Sequence, residues 1–366
     1  MPAPPLADTP LGRTIATTET DIWNDSCALD ELRYAISFGA VGATANPTIV
    51  TDVWRHEPET WRDRVRALAS GRPDASESDL AWTVVDEMSV RAAPLLLPAF
   101  EAWEGRQGRL STQTDPTLHR SAERMVAQGL HFSGLAPNII VKFPATAAGI
   151  EAIEEATARG ISVNTTVCFS VAQAIAAAEA IDRGLLRREA DGQSTAAMGP
   201  VVTIMMGRVE DWLRVQAERD GIVGDPAALP WSGVAVFKQA YGIFRERGYR
   251  ARLLGAAIRH HLHWSELIGG DVVITLPAAW QRRFNASDVD VRPRMDESVA
   301  PAIMDDLLRH YPDFVRAYEP DGLAVGDFDA WPPTARTLRA FIASYHDLLH
   351  QVTDAMIPNP DARKAS

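Results

Sequence analysis

The feature that most constrains this chain is a repeated alternation of short apolar, β-branched segments with stretches of helical periodicity. Eight segments are expected as strands: Thr20–Ser26, Val41–Asn46, Leu110–Thr114, Asn138–Phe143, Ile161–Val167, Pro200–Met206, Arg252–Ala257 and Asp271–Leu276. Helical patterns cover Leu29–Phe38, Glu57–Leu68, Glu77–Phe100, Leu118–Gln128, Ala147–Arg159, Val171–Arg188 and Ser232–Arg247. Such alternation implies parallel strands joined by helical crossovers. A count of eight favours a closed (β/α)8 (TIM) barrel over an open sheet. No Gly-x-Gly-x-x-Gly follows any strand, which removes the main support for a dinucleotide-binding fold. The barrel is assigned to residues 19–287. Glu297–Tyr311 and Thr334–Met356 read as amphipathic helices of a C-terminal extension, residues 288–366, packing on the barrel. Residues 1–18, rich in Pro and Thr, are expected to be flexible, and Arg187–Met198 is expected to be a surface loop.

At 366 residues and 46% hydrophobic content the chain can bury a large core. Its net charge of −12 argues against nucleic acid or an anionic membrane as partner. A few arginines in a cleft can still hold a small anion. The two cysteines, Cys27 and Cys168, form no disulfide framework and suit a reducing compartment. The N-terminus lacks a basic segment followed by an apolar one, and no apolar run reaches the ~18 residues of a spanning helix. A cytoplasmic location is expected.

One strand contains a residue that does not suit it. Asn138-Ile-Ile-Val-Lys-Phe-Pro-Ala145 is a buried parallel strand by pattern, yet it carries Lys142. The chain has only three lysines, Lys142, Lys238 and Lys364, and uses arginine elsewhere. An amine retained in a core strand suits chemistry that guanidinium cannot perform, namely loss of a proton and attack on a carbonyl. The competing reading is a lysine reaching out of an edge strand.

Strand parity bears on the choice. Side chains two apart share a face, which groups Asp21 with Trp23 and Asp25, Thr44 with Asn46, and Ser111 with Gln113. It likewise groups Asn138 with Lys142, Asn164 with Thr166, and Thr203 with Met205. Polar side chains thus gather at strand C-termini, where barrel enzymes place their active sites. Desolvation there lowers an ammonium's pKa, and a neutral Lys142 can form a Schiff base. Asp25 is the candidate to move a hydroxyl proton, against a reading as helix cap shared with Ser26 and Asp30. Arg208 and Arg259 follow strands six and seven, where phosphate is commonly held. His260-His261-Leu262-His263 lacks matching ligand spacing, so no metal is assigned.

Gly42-Ala-Thr-Ala-Asn-Pro-Thr48, Ile140-Val-Lys-Phe-Pro-Ala-Thr146 and Gly160-Ile-Ser-Val-Asn-Thr-Thr166 through Phe169–Gln173 resemble successive motifs of the transaldolase family. Gly207-Arg208 with Asp211-Trp212, and Gly255 to Arg259, fit the same order. The resemblance implies a cofactor-free class I enzyme on a (β/α)8 barrel, moving a dihydroxyacetone unit from a ketose phosphate to an aldose phosphate. It implies Lys142 as Schiff-base lysine and Asp25 as acid/base. Asn46 and Asn164 would hold the dihydroxyacetone hydroxyls, Thr166 a catalytic water, and Arg208 and Arg259 the phosphate. Thr203 stands where the family has a small hydroxyl residue. The expected partners are small-molecule sugar phosphates; a homodimer is compatible with the sequence, which fixes no oligomeric state.

Some positions depart from the family pattern. Gln113 stands where transaldolases usually carry glutamate; it cannot exchange a proton at neutral pH but can hold a water. The related fructose-6-phosphate aldolases have glutamine there, and a tyrosine at the position of Met205. Transaldolases usually have an aromatic residue at that position, and Ala257 lacks a serine hydroxyl often seen before the second arginine. A lyase releasing dihydroxyacetone, and a catalytically silent sugar-phosphate-binding protein, are the alternatives.

Overall fold

The computed structural model describes residues 8–357 and residue 360. Eight parallel strands close into a barrel in sequence order: β1 Asp21–Asn24, β2 Gly42–Thr44, β3 Arg109–Gln113, β4 Ile139–Pro144, β5 Val163–Cys168, β6 Val201–Met205, β7 Arg252–Ala256 and β8 Val273–Leu276. β1 pairs with β8 from Asp21↔Val273 to Asn24↔Leu276, which closes the ring. A closed ring has no edge strand, and Lys142 on β4 is buried, so the edge-strand reading of that lysine fails.

The barrel interior is filled in layers. At the end where the strands start, Asp21 accepts from Gln107 Nε2 (2.8 Å) and pairs with Arg252 (2.7 Å). Above it lies the Trp23 indole; a Cβ on Gly42 would sit 2.4 Å from that ring, so glycine makes the room. Next comes a hydrogen-bonded chain across three strands. Thr203 Oγ1 donates to Asn164 Oδ1 (2.7 Å), and Asn164 Nδ2 donates to Ser111 Oγ (3.0 Å). These bonds satisfy polar groups that water cannot reach.

Among the helices that differ from the sequence expectation, three bear on the barrel and its site. Residues Pro10–Thr17, inside the Pro- and Thr-rich N-terminal segment, form a helix: Thr9 caps Gly12, Pro10 opens the first turn, and Leu11 is fully buried. Trp264 Nε1 donates to Thr14 Oγ1 (3.3 Å), tying this helix to the barrel; residues 1–7 lie outside the described residues. Pro47–His56 is a helix, with Asn46 as its cap. Met206–Asp220 is a helix that starts where β6 ends, so Arg208 sits in a first helical turn and not in a loop. In addition, the helix beginning at Val171 runs on to Ala190, shortening the expected surface loop.

The long helix Pro332–Met356 packs across Pro47–His56 and the neighbouring Pro58–Gly71 and Glu77–Ala102 helices. Thr48 and Ser344 share a hydrogen bond (2.8 Å), and Gln173 Nε2 reaches Thr334 Oγ1 (3.3 Å). Ahead of this helix, Asp329 accepts from the Ala147 N–H (2.8 Å). The contacts fall on helices and loops around the end of the barrel where the strands finish. Among the described residues no helix is long and apolar enough to cross a membrane.

Candidate active site

Lys142 lies on β4 between Gln113 of β3 and Asn164 of β5. Among the described residues its ammonium has a single long hydrogen-bond contact, 3.5 Å to the Ala45 carbonyl. Burial pulls its pKa down to about 8, against an opposing pull from the Asp25 carboxylate. Lys238 shows what a structural lysine looks like in the same chain. Its Nζ donates to Glu266 Oε2 (3.1 Å) and to the carbonyls of Arg294 (2.9 Å) and Glu297 (2.7 Å). Lys142 has no comparable set of acceptors and is poised to lose a proton.

Asp25 follows β1, half-buried, and its carboxylate accepts from Thr44 Oγ1. Thr44 Oγ1 is 2.9 Å from Thr275 Oγ1; since its own hydrogen goes to Asp25, Thr275 is the donor. The following helix, Leu29–Ser37, has Ala28 as cap position and no side-chain cap, so Asp25 is not consumed by capping.

Asn164 is held on both sides by Ser111 and Thr203, which leaves one amide hydrogen free. Asn46 differs from the expectation in one respect: its Oδ1 accepts from Ile49 N–H (3.0 Å) as helix cap, so only its amide hydrogens remain for another role. Thr166 Oγ1 lies 3.9 Å from Met205 Sδ. Nearby β5 is irregular, with a register shift between Thr165 and Cys168 and Val167 at φ +53°. That conformation is strained for a β-branched residue. Gln113 is buried, and its Oε1 has no partner.

The arginines sit side by side, Arg208 in the first turn of the Met206–Asp220 helix and Arg259 in the segment after β7. Among the described residues no carboxylate is bonded to Arg208; its Nε is buried without an acceptor there, and its guanidinium lies 5.6 Å from the Phe341 ring centroid. Burial, then the adjacent Arg259, lowers its pKa. Arg259 pairs with Asp211 through Nε (3.2 Å) and Nη2 (2.7 Å), while Nη1 donates to the Ile258 carbonyl (3.2 Å). One hydrogen on each terminal nitrogen is left, a fork that suits a phosphate.

Sequence reasoning did not reach several neighbours. Phe341 and the exposed Arg336, which acts on Arg208 through its charge, come from the Pro332–Met356 helix. From the same helix, Tyr345 and Leu348 line a small pocket with Asn46 and Gln113. An amphipathic pattern shows which face of such a helix is buried but not what it is buried against. Thr275, by contrast, is a polar residue at a strand end and carried a readable signal.

Among the described residues Glu210, His260 and His263 form the one close group of metal-type ligands. His263 Nδ1 accepts from the Arg259 N–H (3.2 Å), which puts the ring proton on Nε2, the atom facing Glu210. A protonated Nε2 has no lone pair for a metal. A cavity of about 1130 Å³ opens at the opposite end, between Ile36, Leu95 and Trp103. It contains none of the polar set around Lys142.

Fold and site together define the class: a (β/α)8 barrel with a buried, readily deprotonated lysine near the C-terminal ends of its strands. A family model described as Transaldolase/Fructose-6-phosphate aldolase matches residues 22–324. The chain is similar to a transaldolase of Parafrankia sp. (strain EAN1pec), 27% identical over 356 residues, covering 88% of this chain and 95% of the relative. It is 31% identical over 287 residues to a transaldolase of Thiobacillus denitrificans (strain ATCC 25259 / T1), covering 70% and 78%. It is 29% identical over 251 residues to a transaldolase of Mycobacterium tuberculosis (strain ATCC 25618 / H37Rv), covering 66% of each. The chain belongs to the transaldolase/fructose-6-phosphate aldolase family.

Proposed function

We propose that this chain is a transaldolase, a transferase that moves a dihydroxyacetone unit from a ketose phosphate to an aldose phosphate through a Schiff base on Lys142. The observation that carries the reading is Lys142 itself, buried in the barrel, with its pKa pulled to about 8 and only one long contact. The neutral amine attacks C2 of fructose 6-phosphate or sedoheptulose 7-phosphate, and loss of water gives an iminium. Asp25 takes the C4 hydroxyl proton as the C3–C4 bond breaks, and the electron pair moves into the iminium to give an enamine. The shortened aldose phosphate leaves. The enamine attacks the acceptor aldehyde, Asp25 returns the proton to the new hydroxyl, and water releases the product from Lys142.

In this reading Asn46 and Asn164 hold the dihydroxyacetone hydroxyls with their remaining amide hydrogens. Thr203 fixes Asn164, and Thr166 and Gln113 hold the water that enters and leaves at C2. Arg208 and Arg259 take the phosphate at the start of the Met206–Asp220 helix, whose N-terminal amides add to the positive field. The similarity to transaldolases favours the transferase over a lyase. A place in the pentose phosphate pathway, a cytoplasmic location and a homodimer belong to the same proposal. The buried free thiols Cys27 and Cys168 fit a reducing compartment, and light scattering checks the dimer.

The test is borohydride reduction of the protein with fructose 6-phosphate, followed by peptide mass spectrometry. An adduct on Lys142 is expected; its absence from folded protein would remove both the transferase and the lyase. Product release without erythrose 4-phosphate would identify a lyase, whereas a transferase requires that acceptor.

A further inference from the structure

Two residues after Arg208, Glu210 turns its carboxylate inward, with its side chain 3% exposed. Oε2 is 2.9 Å from His260 Nε2 and 3.8 Å from His263 Nε2, and the other oxygen accepts from Arg214. The two imidazole rings touch, with centroids 4.1 Å apart. His263 is fully buried and accepts the backbone N–H of Arg259. A chain of side chains therefore runs from the helix that carries Arg208 to the backbone that carries Arg259, by hydrogen bond from Glu210 to His260, by ring packing from His260 to His263, and by hydrogen bond from the Arg259 N–H to His263.

Apolar side chains would fill this space without the cost of burying a carboxylate and an imidazole. What polar groups add is direction. Burial and the neighbouring His260 hold the His263 pKa at about 3, so the ring is neutral and its Nδ1 stays an acceptor. Burial raises the Glu210 pKa, but hydrogen bonds from His260 and Arg214 outweigh it and leave it lowered. Arg259 needs such anchoring, because it lies after β7 and before the short Leu262–Ser265 helix, in neither element.

We propose that Glu210, His260 and His263 are positioning residues that fix Arg259 relative to Arg208 and so set the preference for phosphorylated over unphosphorylated sugars. The proposal rests on the reading of the two arginines as the phosphate pair.

The experiment measures half-saturating concentrations for borohydride-trapped adduct formation with fructose 6-phosphate and with dihydroxyacetone, which carries no phosphate. In His263→Leu the ratio of the two is expected to shift about tenfold against the phosphorylated sugar, as for a modest misplacement of a binding group. His263→Asn should recover most of that loss, because its Oδ1 can accept the Arg259 N–H. An unchanged ratio, or equal loss on both substrates, overturns the proposal. Arg208→Ala and Arg259→Ala separate the two levels. If neither moves the ratio, the phosphate reading itself fails; if they move it and His263→Leu does not, only the brace fails. Should His263→Leu not fold, Glu210→Gln replaces it, with the same direction expected and an unchanged ratio again overturning the idea.

Discussion

The carbonyl oxygen of Ala257 lies against Gly207, where an added Cβ would come within 1.9 Å of it. Ala257 adopts φ +61°, a left-handed conformation that aims this carbonyl at the first turn of the Met206–Asp220 helix. Through this contact the segment bearing Arg259 rests on the turn bearing Arg208. Gly207→Ala is therefore expected to destabilise the protein by about 1–3 kcal/mol in urea unfolding, as for overpacking against backbone that cannot move aside. It should also weaken binding of fructose 6-phosphate. A variant with unchanged stability and affinity would show that the two segments are not coupled there.

The pKa of Lys142 makes a pH prediction with a definite sign. Burial lowers it to about 8 from an ordinary 10.5, so the neutral, nucleophilic fraction rises through pH 8. Initial rates of borohydride-trapped adduct formation should climb with pH and level off above that value. Stability follows the same group. The unfolded lysine holds its proton up to about pH 10 and the folded one does not, so stability gained with rising pH appears between about 8 and 10.5. Lys142→Met should accordingly be more stable by about 3 kcal/mol at pH 7, from a shift of that size. The advantage should shrink above pH 8; a constant difference across the range would contradict the burial argument.

Phe341 offers the Arg208 guanidinium a ring face at 5.6 Å. A partly desolvated cation–π contact is worth about 1 kcal/mol. Phe341→Ala should raise the half-saturating concentration of phosphorylated donor about fivefold, in line with that energy. Trapping with dihydroxyacetone should respond far less. Equal effects on both would place Phe341 in general packing.

Asp25 and Gln113 stand beside the lysine with different expected roles. Asp25→Asn keeps an oxygen that Thr44 can bond and removes proton transfer, so turnover should fall about 10²–10⁴-fold. The trapped adduct should still form. Gln113→Glu should alter turnover and leave the adduct, whereas loss of the adduct would remove Gln113 from the water-holding role.

Much of this could be read in the chain. The eight strands were legible because each is a short β-branched run bounded by turn residues, and parity placed Asp25, Lys142, Asn164 and Thr203 on one interior face. The Pro47–His56 helix is harder to see although Asn46-Pro47 is a cap followed by a first-turn proline, because the strand pattern ends on the same Asn46. The Met206–Asp220 helix gave less warning. Its cap position, Met205, has no side-chain hydrogen bond, and Gly207 reads as loop. The bonds from Glu210 to His260, and the placement of Phe341 on Arg208, depend on contacts far apart in sequence that no local pattern encodes.

The Pro332–Met356 helix also sets an order in time. All eight strands, Lys142 and both arginines are contained in the first 276 residues, whereas Phe341 and Tyr345 belong to the last helix of the described chain. As the protein emerges from the ribosome, every strand is available before the wall beside Gln113 and Arg208 has been made. Barrel closure and completion of the site are thus separate events in synthesis, and the second waits for the Pro332–Met356 helix.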